Sequence, residues 1–96
     1  MLFKMEETTF FAQKISNKKN VLFPVKIIID DEDVTYYKGK LIGYLKTLIN
    51  RKSIASITIS EGVLFSEITI ESLGGNKIYA FGFLKSDARK IKDSLI

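Results

Sequence analysis

A mainly β (α+β) domain, with about seven antiparallel strands followed by one C-terminal α-helix, is the fold class this sequence predicts. Three observations predict it. "SITIS" at residues 56–60 and "EITIES" at 67–72 alternate strictly between isoleucine and polar residues, the period of strands that are dry on one face and wet on the other. "GGN" at residues 74–76 supplies positions that accept positive φ between two strand-like runs, which is what a hairpin loop demands. At the end of the chain Leu84, Ala88, Ile91 and Leu95 share one helical stripe, so the last element is an amphipathic helix with an apolar business face.

The bulk numbers fit a single domain spanning residues 1–96. Hydrophobic residues make up 46% and charged residues 27%, with one proline and six glycines, a globular composition rather than a disordered or fibrous one. The sequence has no cysteine and no histidine. That removes disulfides, thiolate nucleophiles, the usual general base and the commonest metal ligand. No paired acids stand out as an acid/base couple, so the expectation is a protein that is not an enzyme and needs no cofactor or metal. The N-terminus carries Lys4, Glu6 and Glu7 where a secretory leader needs an unbroken apolar core, and no run reaches the ~20 residues of a spanning helix. A cytoplasmic location is expected.

Taken in order, residues 8–15 and 21–29 are rich in Phe, Val and Ile and read as strands, joined by the turn-prone "SNKKN". "DDED" at residues 30–33 is a charged turn, lacking the staggered oxygens and glycine of a calcium loop. Residues 34–38 form the next strand, and Gly39 and Gly43 bracket a reversal into residues 44–49. Leu41, Leu45 and Leu48 also fit a helical face, but two glycines inside a helix would each cost about 1 kcal/mol, so strands are preferred. Residues 67–72 should pair antiparallel with residues 77–83. In that last strand Ile78 and Ala80 point one way and Tyr79, Phe81 and Phe83 the other, and two apolar faces imply that both are covered. Ser86 is the expected helix N-cap, with Asp87 in the first turn where the helix dipole favours an anion.

Net charge is +4, but its distribution is blocky: Lys14, Lys18, Lys19 and Lys26 precede Asp30, Asp31, Glu32 and Asp33, and residues 34–60 hold five cations and no acid.

The pattern "VTYYKGKLIG…TLINRKSIASITIS…LFSEITIESLGGNKIYAFGFLKSDARKI" resembles the bacterial pleckstrin-homology (PH)-like domains. In these a V-x-strand leads into G-x-L, then a T-I segment, an I-T-I strand, a glycine-glycine hairpin and a final helix. The resemblance covers residues 34–96. It implies a PH-like barrel capped by the C-terminal helix, working as a non-catalytic interaction module through a protein partner or self-association.

Two stretches are candidate sites. The resemblance places Lys14, Lys18, Lys19 and Lys26 where phosphoinositide-binding relatives carry basic residues, in the first hairpin, which would suit anionic phospholipid headgroups. No arginine follows Lys26, as that motif has, and a solvated basic hairpin is the competing reading. Tyr79 and Phe81 are the candidate partner-binding residues. If they lie exposed, their strand can meet another chain; if both faces are hidden within one subunit, no oligomer is needed. Tyr36, Tyr37, Tyr44, Phe81 and Phe83 near Arg51 and Lys52 lack an RNA-recognition signature, so nucleic acid is not the expected partner. No small-molecule substrate is indicated.

Overall fold

The computed structural model describes residues 7–13 and 25–96. Among the described residues seven strands and one helix succeed one another in chain order: β1 (Thr8–Phe11), β2 (Val25–Ile29), β3 (Asp33–Gly39), β4 (Tyr44–Asn50), β5 (Ile54–Glu61), β6 (Phe65–Ser72), β7 (Lys77–Leu84) and α1 (Lys85–Leu95). A single 3₁₀ turn, Arg51–Ser53, separates β4 from β5. The strands pair antiparallel in two sheets, β1-β2-β3-β4 and β5-β6-β7.

These sheets are not closed into a barrel, which corrects the expected closure. Ladder pairing stops at the 3₁₀ corner, and on the other side one backbone bond among the described residues, Gln13 N–H to the Gly82 carbonyl at 2.8 Å, joins the end of the β1 segment to β7. The helix adds its apolar stripe to the core the sheets share. Ala88 and Ile91 are fully buried, and α1 packs on β5, β6 and β7.

The core lies between the inner faces. Ile27, Ile29, Val34 and Ile49 come from the first sheet, and Ile68, Ile70, Ile78, Ala80 and Phe83 from the second. The alternation in "EITIES" does what its period predicts: Ile68 and Ile70 are buried while Glu71 is exposed. Ile57 and Ile59 on β5 are only partly buried, packed against the margin of the core. Among the described residues Ser66 is the one buried side chain whose polar atom has no hydrogen-bond partner.

Turns form where small polar side chains capture backbone donors. The Asp30 carboxylate accepts from the backbone N–H of Glu32 (2.8 Å) and Asp33 (2.7 Å), making "DDED" a charged turn as expected. At the β6–β7 hairpin Gly75 adopts φ +90°, a conformation that costs any residue with a side chain. The Arg51 guanidinium ties three regions together by donating to the Asp30 carbonyl (2.9 Å) and to the Ser94 carbonyl in the last turn of α1. A cation on a helix C-terminal carbonyl suits the dipole.

Strand limits differ from expectation by small amounts, and the helix start differs in kind. β1 ends at Phe11 rather than residue 15, and β2 begins at Val25; residues 14–24 lie outside the described residues. Ser86 is not the N-cap. β7 runs into the helix with no loop, so Leu84 occupies the cap position with no side-chain bond and Ser86 falls inside the first turn with Asp87. No described helix is long and apolar enough to cross a membrane.

Candidate functional site

The last strand does not keep one phase. From Ile78 to Phe81 it alternates regularly, with Ile78 and Ala80 buried and Tyr79 and Phe81 outward. The β6–β7 register then shifts: Glu67 faces Phe81, but Ser66 faces Phe83, leaving Gly82 as an extra residue. Gly82 sits at φ +98°, the conformation that lets glycine carry a bulge. One inserted residue reverses the face of every residue after it. Phe83 therefore turns inward and is 0% exposed, whereas Tyr79 and Phe81 are 54% and 44% exposed. This corrects the expectation that Tyr79, Phe81 and Phe83 share a face and that both faces of the strand are covered.

The outer face of the second sheet is thus built in rows. Ser60, Glu67 and Phe81 form one; Thr58, Thr69 and Tyr79 the next; Ser56, Glu71 and Lys77 the third. Glu67 lies diagonally beside Tyr79, and its carboxylate acting as acceptor, followed by desolvation and the carboxylate charge, raises the phenol above its ordinary value of 10.0. Lys77 and Glu71 are 4.0 Å apart on the exposed surface, a pair worth little energetically. The result is two adjacent aromatic rings in a polar frame on an accessible strand.

Of the basic first-hairpin candidates, Lys14, Lys18 and Lys19 lie outside the described residues. Lys26 is on the outer face of the first sheet, in a row that runs Phe11, Lys26, Tyr37, Lys46 across the four strands. Its ammonium stands 4.9 Å over the Tyr37 ring, a cation–π contact. Tyr44 stacks on Tyr37 with ring centroids 5.1 Å apart. Beyond Tyr44 the β3–β4 turn presents Leu41 and Ile42, 86% and 89% exposed. Sequence reasoning placed Lys26 but not its neighbours Phe11, Tyr44 and Lys46. Their common face depends on a register between strands distant in sequence, and the only local signal was the parity of Tyr44 with Lys46 on one strand.

On the helix, Arg89 is spent on Glu61 of β5, at 2.8 Å. Among the described residues no group of three or more His, Cys, Asp or Glu side chains is placed to hold a metal ion. The burial that raises the Tyr36 phenol places it in the core and not in a cleft.

No family model matches the chain, and no curated protein is significantly similar to it.

Proposed function

We infer that this chain is a non-catalytic protein-interaction module on a PH-like scaffold, with the outer face of β7 as its docking surface. The order of four strands, three strands and a terminal helix supports the scaffold. The observation that carries the function is the pair Tyr79 and Phe81, about half exposed beside strand neighbours that are almost fully buried. Two aromatic rings with one polar handle form the kind of anchor that protein interfaces favour. With no histidine or cysteine in the sequence, the serines and carboxylates of that face have no imidazole or thiolate beside them.

The test is selection of a random peptide library on the wild-type chain, followed by binding measurements on Phe81→Lys. Selected peptides should share an apolar or aromatic anchor and lose at least about 30-fold in affinity for Phe81→Lys, the scale of one hot-spot side chain. Peptides that bind both chains equally would remove β7 from the role.

A second reading, peripheral binding to anionic phospholipid, is favoured by one specific feature. The exposed Leu41–Ile42 tip adjoins Tyr44 and Lys46, within residues 34–60 that carry five cations and no acid. Apolar side chains at a basic tip suit an anionic interface, where the ionic part of the attraction weakens with salt. Co-sedimentation with phosphatidylserine vesicles should be strong at low salt, fall with added salt and fall again in Ile42→Asp. A chain that stays in the supernatant at low salt would end this reading.

A further inference from the structure

Among the described residues the two sheets leave four edge strands, β1, β4, β5 and β7, and exposed edges in folded proteins are normally guarded by charge, proline, shortness or a bulge. β1 has four residues, β4 carries Lys46 at its middle, and β7 is interrupted by Gly82 and engaged there by Gln13. β5 is guarded only at its ends, by a register irregularity between Ile54 and Ser56 and by Glu61. It is eight residues long, and residues 54–60 hold neither a charge nor a proline. Among the described residues its ladder runs to β6 alone, in unbroken register over residues 56–61. Such a strand can template pairing with another.

What it best accommodates is itself. Residues 56–60, Ser-Ile-Thr-Ile-Ser, read the same in both directions. Antiparallel pairing about a twofold axis through Thr58 would set Thr58 opposite Thr58, Ile57 opposite Ile59 and Ser56 opposite Ser60 of the second copy. Opposed residues in an antiparallel pair share a face, so the partly buried isoleucines meet isoleucines and the exposed hydroxyls meet hydroxyls. A one-residue slip would oppose isoleucine to serine or threonine throughout and lose every one of these matches.

We propose that β5 is the seam of a symmetric homodimer, in which two three-stranded sheets join as one six-stranded sheet. This inference shares with the proposed function only the premise of protein–protein contact, because Tyr79 and Phe81 lie on the strand at the opposite edge of that sheet. Closed twofold symmetry also gives the unguarded edge a finite partner instead of an open-ended one.

The chain has no cysteine, so single introduced cysteines report the seam without background. The wild-type chain should sediment as a dimer, Thr58→Lys as a folded monomer with the same far-UV circular dichroism, and Phe81→Lys still as a dimer. Under mild oxidation or with a short bismaleimide, Thr58→Cys should cross-link with itself. Ser56→Cys and Ser60→Cys should cross-link poorly alone and efficiently when mixed. A monomeric wild-type chain at millimolar concentration, a dimer that survives Thr58→Lys, or cross-linking of Ser60→Cys with itself at the Thr58→Cys level would each overturn the proposal. Loss of the dimer in Phe81→Lys but not in Thr58→Lys would move the seam to β7, separating failure of this inference from failure of the docking role.

Discussion

Phe83→Ala should lower the unfolding free energy by about 3–5 kcal/mol, the cost of emptying a buried phenylalanine site, while Phe81→Ala should change it by no more than about 0.5 kcal/mol, as at ordinary surface positions. The two residues are two apart in a strand, where simple alternation would give them the same environment. They differ because Gly82 inserts between them, and Phe83 is 0% exposed against 44% for Phe81. Against a total stability of about 5–15 kcal/mol for a domain, the first loss is a large fraction. Urea unfolding followed by circular dichroism separates them. Equal effects at the two positions would mean that the phase reversal is wrong.

Gly82→Val should be the other costly change. At φ +98° a β-branched residue is a steric outlier, and holding it there costs about 1–3 kcal/mol. The strand can escape the strain only by abandoning the bulge, which would return Phe83 to the outer face and forfeit its burial. Both routes destabilise. Gly75→Ala sits at a similar φ of +90° but in a hairpin turn with nothing within 4 Å of the added carbon. It should cost about 1 kcal/mol, the conformational part alone. Thermal melts of the two variants test the difference, and a Gly82→Val chain as stable as wild type would show that the bulge is not required.

Much of the fold was legible because its signals are local. Strict alternation marked β5 and β6, turn residues marked the hairpins at Asp30 and at Gly75, and the apolar stripe marked α1. The preference for strands over residues 39–50 was decided by the glycine cost, and β3, the turn and β4 occupy that stretch. Three features were not legible. Gly82 stands between two phenylalanines, so the run looks like uninterrupted alternation, and the bulge appears only when β7 is laid against β6. Ser86 has the chemistry of a cap, yet β7 continues to Leu84 and the chain enters the helix two residues too early for a serine cap. Barrel closure is a long-range property, and at the β4–β5 corner no local signal distinguishes two sheets from one.

The candidate site divides in the same way. Tyr79 and Phe81 could be named from sequence because aromatic residues in strands always pose the question of what covers them. Their exposure could not be, since it depends on which face the helix and the other sheet take. Lys26 was named among the lysines that the resemblance set against anionic headgroups, but the aromatic row around it comes from a register across four strands.

The central claim, that β7 turns Tyr79 and Phe81 outward as the proposed docking face while Ile78, Ala80 and Phe83 join the core, is tested most directly on Phe81→Lys. The measurement is its urea midpoint, taken together with its affinity for peptides selected on the wild-type chain. The structure predicts an unchanged midpoint and lost binding. A midpoint lowered by the equivalent of several kcal/mol, as for a charge forced into the core, or binding that survives the substitution, would contradict it.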